Sequence, residues 1–347
     1  MEKIKFSDFT ITPVIRSAKR LKIDDAEYFS PAYGKYISNS RLALINPEQG
    51  GSPSAYKDGL HGGTTASLAL GSAIHELFLQ DDCFTLAPKV GKPTAKLGAT
   101  IERAAWYRKK GYSIYNSIVN AAKDCDYYVK TIDSKVSDIL RVGYEYYIKT
   151  KNYDSSVIVL NDKDHDTCCN CINNLKSNKN IMSKIRPTDE FGDNLPSFNE
   201  DALFIDLVVT YKNEVSTILK LKMKADNWTI DVDNKVLTLN DLKTSSKPVA
   251  YFMKDYGSWY HYHYARQMAL YGMMLKEFCK QEYNFDSEWT FECNMLVVDT
   301  LRDNDTRCIH VTDSELEAGK KEYEELLKRV AYYEIYGYDK NVEFINA

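Results

Sequence analysis

The sequence predicts an α/β protein in which a mixed β-sheet is flanked by helices and carries a helical insertion. Three observations carry this. Between residues 93 and 190 apolar residues recur at helical spacing, as in IERAAWYRKK, SIVNAAKDCDYYV and KVSDILRVGYEYYI. After Pro196 the runs ALFIDLVV, VSTILKLKM and KVLTLNDLKT are short, rich in β-branched residues and parted by polar turns such as YKNE and DVDN. A helical stretch from about Gly257 to Lys280, the strand-like WTFECNMLVVDT and a last helix complete a pattern that suits one layered domain.

Taken in order, the opening residues MEKIKFSDFT mix charges with isolated apolar residues, so no signal-peptide core is expected there. No later run reaches membrane-spanning length, and the chain is expected in the cytoplasm, away from membranes. From Ile37 to Gln80 two helical stretches flank a loop rich in Gly, Ser and Pro, the second helix running over about Thr65–Leu79. The insertion follows over 93–190 and the sheet core over 196–335. Thr312 and Glu315 at the head of the last helix have the spacing of a capping box. No linker divides 1–347, so a single domain is expected.

At 347 residues a sizeable core is within reach. Hydrophobic content of 44% with 27% charged residues excludes a disordered or fibrous chain. The net charge of −4 leaves nucleic acid open, because gripping phosphates needs a locally positive channel and not a basic total. Eight cysteines without a secretion signal fit reduced thiols. Cys168, Cys169 and Cys171 suggest a metal cluster, but Cys279, Cys293 and Cys308 stand 14 and 15 residues apart, not in close pairs, and no cluster is expected.

The segment KMKADNWTIDVDNKVLTLNDLKTSSKP carries the chemistry. One acid, Asp226, closes a predicted strand, and the triplet Asp241-Leu242-Lys243 closes the next. The period of two puts Asp241 and Lys243 on one face, turns Leu242 into the core and leaves its carbonyl available. Magnesium takes oxygen ligands in octahedral geometry and keeps several waters, so two carboxylates and a carbonyl leave room for a phosphate and an attacking water. A lysine beside them stabilises the negative charge that develops on phosphorus; the nearby carboxylate opposes the lowered pKa a general base would need. By itself D-x-K is usually a solvated charge pair.

Gln267 and Tyr271, spaced i, i+4, share one helix face, as they also would on any amphipathic helix with a buried tyrosine. His75 in LGSAIHELFL taken alone reads as a hydrogen-bonded core histidine. In SWYHYHYARQMALYG, His261 and His263 stand among four aromatic residues that could stack on bases, although most are expected to pack helix on sheet; Arg266 is a candidate phosphate contact.

As an ordered set, a strand ending KxKAD, DLKTS after an apolar strand and Q-x-x-x-Y on the following helix resemble the RecE and lambda-type exonuclease branch of the PD-(D/E)xK superfamily. ISNSRLALI, SPSAYK and LGSAIHELFL are similar to the opening of RecE-type nuclease domains; the matching motifs lie at about 37–80 and 198–272. The resemblance implies a restriction-endonuclease-like fold. It implies that Asp226, Asp241 and the Leu242 carbonyl bind the metal with His75 as an additional ligand, and that Lys243 is the catalytic lysine. Glu200, in FNEDALFI, would reach the metal through water or bind a second ion, with Asp201 as its rival. Gln267 and Tyr271 would orient the nucleophile or contact the phosphate. The cofactor implied is Mg2+, with Mn2+ suited to the same ligands. The activity implied is a 5′ to 3′ exonuclease on double-stranded DNA ends in recombination or repair, in a phage or prophage setting within a bacterial host. A homo-oligomeric ring and a single-strand annealing protein as partner belong to the same implication. An endonuclease or end-processing enzyme, or a catalytically silent DNA-binding module, are the rival functions.

Overall fold

The computed structural model describes residues 2–59, 66–93, 95–127, 132–150 and 152–346. It divides into two compact units, Met1–Thr65 with Asn173–Ala347, and Ala66–Ile172. The second unit takes in the helix Ala66–Leu79 and ends at Ile172, whereas the insertion expected within the single domain spans 93–190. Helical periodicity reads the same whichever core the apolar stripe joins, so it does not assign the helix to a unit.

The first unit is built on a seven-stranded sheet. Its strands are β1 (Phe9–Pro13), β2 (Lys19–Leu21), β3 (Ser197–Tyr211), β4 (Val215–Asp231), β5 (Val236–Ser245), β6 (Thr290–Asp299) and β7 (Thr306–His310). They lie in the order β7-β6-β5-β4-β3-β1, with β2 also paired to β3. All neighbours are antiparallel except β5 and β6. A parallel pair needs a crossover connection, and α1 (Tyr264–Tyr283) is the helix that supplies it. This is the mixed sheet the sequence predicts. β1 and β2 are additions to it, because runs of three and five residues with mostly exposed side chains give little alternation to read.

One face of the sheet carries the main core. Leu237 and Leu239 of β5, Leu219, Leu221 and Met223 of β4 and Met295 and Val297 of β6 pack with Met268, Leu270 and Leu275 of α1. Truncating any one of these leucines to alanine costs about 2–5 kcal/mol by lost transfer energy and the cavity left behind. The opposite face buries Leu242, Leu296 and Val298, and the Asn240 side chain there donates from Nδ2 to the Lys184 carbonyl at 2.9 Å.

The last helix, α2 (Asp313–Tyr336), starts with the predicted capping box: the Glu315 N–H donates to Thr312 Oγ1 and the Thr312 N–H to Glu315 Oε2. It crosses α1 at Gly319, where a Cβ would stand 2.0 Å from the Ala265 carbonyl oxygen. Helix backbones approach this closely only over glycine. Gly319→Ala should therefore force the helices apart and cost about 3 kcal/mol. The expected fall in Tm is roughly 6–12 °C for a unit of this size; an unchanged Tm in a thermal scan would show that the crossing has slack.

The second unit is helical as predicted, with helices Ala66–Leu79, Ala95–Lys109, Ile114–Asp124 and Ile132–Thr150 and most of Asp162–Ser177, plus a short parallel pair, Thr85–Leu86 with Val157–Ile158. Ile101, Ala104, Ile118, Ala121 and Ile139 form its core. Cys168 and Cys171 are buried on the helix Asp162–Ser177, where burial pushes the Cys168 thiol up to about 12. Among the described residues no helix is long and apolar enough to cross a membrane.

Candidate metal centre

Register brings three acids into one row. The β3–β4 pairs Asn199↔Asn227 and Asp201↔Ala225 flank Glu200 and Asp226. The β4–β5 ladder ends at Asn227↔Asn240, one step before Asp226 and Asp241. Glu200, Asp226 and Asp241 thus stand side by side on three adjacent strands.

The acids do not close their strands, as the sequence reading expected. β4 runs on to Asp231, and its alternation changes phase at the acid: core positions are Leu219, Leu221, Met223 and Ala225 before it, Trp228 and Ile230 after it. β3 changes phase in the same row, where Glu200 adopts φ 54. That left-handed backbone costs a non-glycine residue on the order of 1 kcal/mol. It also breaks the pleat, as a bulge does, and re-aims the side chain.

Past Asn227↔Asn240 β4 and β5 part. The Leu242 N–H, which has no ladder partner in β4, donates to Asp226 Oδ2 at 2.7 Å. Asp241 is 1% exposed; its Oδ1 accepts from Gln267 Nε2 at 2.7 Å and its Oδ2 pairs with the Lys243 ammonium. Glu200 Oε2 lies 3.1 Å from Lys224 Nζ, and Glu200 and Asp226 present oxygens within 4.8 Å of each other. A row of asparagines stitches the strands beside the acids. Asn227 donates to Asn199 at 2.7 Å, Asn240 to Asn227 at 2.7 Å and Asn294 to Asn240 at 3.0 Å.

The electrostatics follow from burial. Glu200 is pushed up to about 7, first by burial and then by the Asp226 charge. Burial likewise raises Asp226, outweighing Lys243 and the Leu242 N–H. Burial alone would lower Lys243, but Asp241 and Asp226 outweigh it and hold the ammonium above its ordinary value, fully charged. The Tyr271 hydroxyl is raised by burial, then by Tyr28 and the site's carboxylates, and so keeps its proton. The carboxyl groups Glu200, Asp226, Asp241 and Asp25 outnumber the ammonium groups Lys224 and Lys243, and binding of a cation would favour the charged form of the raised pair Glu200 and Asp226. Hard oxygen donors with unbalanced negative charge suit a divalent cation such as Mg2+ or Mn2+.

This predicts a pH dependence. With Glu200 raised from 4.5 to about 7, the folded chain holds a proton that the unfolded chain has lost, so metal-free stability falls as pH rises through that window. The loss is at most about 3 kcal/mol. Urea unfolding in chelator at pH 5 and pH 8 should show it, and Glu200→Gln should remove most of that difference; an identical slope in the variant would refute the assignment.

The remaining expected residues divide. Leu242 is buried with its side chain turned away from Asp241. Asp201 turns from the row, its Oδ2 3.7 Å from Arg20 Nε, so Glu200 and not Asp201 meets Asp226. Tyr271 lies one turn beyond Gln267 on α1. His75 belongs to the helix Ala66–Leu79 in the second unit. Arg266 is corrected: it is 1% exposed, and its guanidinium donates to Asn39 at 2.8 Å, Gln49 at 2.7 Å and Glu322 at 2.9 Å. Its Nε and Nη1 are thus spent on neighbours within the fold, and the side chain is not on the surface.

Two participants escaped the sequence reading. Lys224, two residues before Asp226 in KMKAD, pairs with Glu200 and Asp25, and period two was its available signal. Tyr264 places its ring centroid 5.3 Å from Lys243 Nζ. The asparagine row was also in view, since an asparagine adjoins each acid in Asn199-Glu200, Asp226-Asn227 and Asn240-Asp241.

A family model matches more than half of the chain. The family described as "PDDEXK-like domain of unknown function (DUF3799)" matches residues 149–334. Among solved structures, the crystal structure of a "Putative exonuclease" from Eubacterium rectale is similar, with 13% identity, a TM-score of 0.46 and coverage of 89% of this chain and 85% of that one. No curated protein matches.

Proposed function

The chain belongs to the family of PDDEXK-like domains, and from that premise we propose that it is a Mg2+-dependent deoxyribonuclease that degrades double-stranded DNA from its ends. The observation that carries this reading is the row Glu200, Asp226 and Asp241 with Lys243 charged beside it. Asp226, Asp241 and the Leu242 carbonyl would hold the cation, and His75 is proposed as a further ligand on the sequence resemblance. When bound, the cation polarises the scissile phosphate and lowers the pKa of the attacking water. Lys243 then stabilises the charge that develops as the water oxygen bonds to phosphorus and the ester oxygen leaves. Gln267 holds Asp241 in place, and the protonated Tyr271 hydroxyl is suited to donate to a phosphate oxygen. Attack from the 5′ end, a ring-shaped oligomer and work beside a single-strand annealing protein rest on the resemblance alone.

The test is a time course on duplex labelled at the 5′ or the 3′ end, with Mg2+ or with chelator, beside a covalently closed circle. The reading predicts Mg2+-dependent release of mononucleotides from the linear duplex, 5′ label first, and an intact circle. Cutting of the circle would replace the exonuclease by an endonuclease; no cleavage of either would favour a silent DNA-binding module.

A further inference from the structure

We propose that the strap 246–263, which joins β5 to α1, is a stacking platform for unpaired bases of the strand that enters the metal centre, an inference that rests on the nuclease reading above. The strap is pinned by two buried rings, Phe252 and Trp259, each 2% exposed, with the Trp259 N–H donating to the Phe252 carbonyl at 3.0 Å. Between them Gly257 packs so tightly that a Cβ would stand 2.2 to 2.8 Å from the carbonyl oxygens of Tyr251, Phe252 and Lys254. This tight fold leaves four other rings outward: Tyr251, Tyr256, Tyr260 and Tyr262 are 43%, 64%, 52% and 53% exposed.

Single exposed rings need no explanation, but a cluster marks a binding surface. The Tyr262 end of the strap is continuous with the candidate site. From Lys243 Nζ to the Tyr264 centroid is 5.3 Å, from Tyr264 to Tyr262 5.6 Å and from Tyr262 to His261 4.6 Å. Tyr251 and Tyr256 form a second pair at 6.0 Å. An aromatic ring can stack on a base only where that base face is open, so such a surface selects unpaired nucleotides over the interior of a duplex. Lys247, Lys254 and His261 share the strap with one acid, Asp255, which suits a polyanion better than a basic protein surface. Lys247 Nζ also donates to the Tyr256 carbonyl at 3.3 Å and steadies that ring's backbone.

The experiment measures binding of the full chain, in chelator so that nothing is cut, to labelled oligothymidylate and to an abasic oligonucleotide of equal length. Oligothymidylate should bind more tightly. Tyr256→Ala and Tyr262→Ala should each weaken its binding about tenfold and leave abasic binding unchanged, while Tyr256→Phe, which keeps the ring, should bind as the unaltered chain does. Equal losses on both oligonucleotides, no losses, or no preference for bases in the unaltered chain would overturn the platform. A chain that shows the ring-dependent preference yet cleaves no DNA with Mg2+ would overturn the nuclease reading and leave the platform standing; a chain that cleaves without the preference would do the reverse.

Discussion

Lys243→Met is expected to slow phosphodiester cleavage about 10²–10³-fold while DNA binding in chelator changes little. The magnitude is that of removing one preorganised charge from a developing oxyanion. Methionine keeps the length and most of the stem, so the loss reports the ammonium and not a cavity. The variant also strips Asp241 of its ion-pair partner, and breaking a buried pair from one side costs about 3–5 kcal/mol in stability. The two effects separate by experiment: cleavage is followed well below the variant's Tm, and single-turnover rates with saturating Mg2+ report the chemical step. Full activity in Lys243→Met would remove Lys243 from the mechanism.

Asp226→Asn is expected to move affinity and stability in opposite directions. Asparagine still offers an oxygen to the Leu242 N–H, now 2.7 Å from Asp226 Oδ2, so the local hydrogen bond survives. What disappears is a buried charge that the fold holds at a cost, as the burial-raised pKa of Asp226 records. At pH 8 in chelator the variant should be as stable as the unaltered chain or more so. Its Mg2+ affinity should fall at least about tenfold, or 1.4 kcal/mol, and cleavage with it. Calorimetric titration reads the affinity and urea unfolding the stability; unchanged affinity would take Asp226 out of the ligand set. This opposition of binding and stability distinguishes a built cation site from an ordinary structural ion pair, whose loss harms stability alone.

Most of the sheet was legible because its strands are long and β-branched: the predicted runs after Pro196 became β3, β4 and β5, and WTFECNMLVVDT became β6. Thr312 and Glu315 announced the last helix by chemistry that is local in sequence. The Asp241–Lys243 pair was legible for the same reason, since two residues of one strand share a face whatever lies around them. What escaped depends on partners distant in the chain. The break in the pleat at Glu200 and Asp226 is a property of two strands paired, and neither strand alone shows it. The burial of Arg266, a candidate phosphate contact from sequence, was not legible because it takes acceptors from three other segments, Asn39, Gln49 and Glu322, that no local pattern connects to it. The helix expected from Gly257 was broken for a comparable reason: His263 turns left-handed at φ 54, with Nδ1 2.8 Å from Glu322 Oε1 on α2, and α1 begins only at Tyr264.

The account depends on one cation sitting at the acid row. Crystals grown with Mn2+, measured at a wavelength where manganese scatters anomalously, test this most directly. The prediction is a single strong peak within about 2.0–2.4 Å of Asp226 and Asp241 oxygens, beside Lys243. A peak elsewhere, or none at the row with Mn2+ in excess, would contradict the central claim.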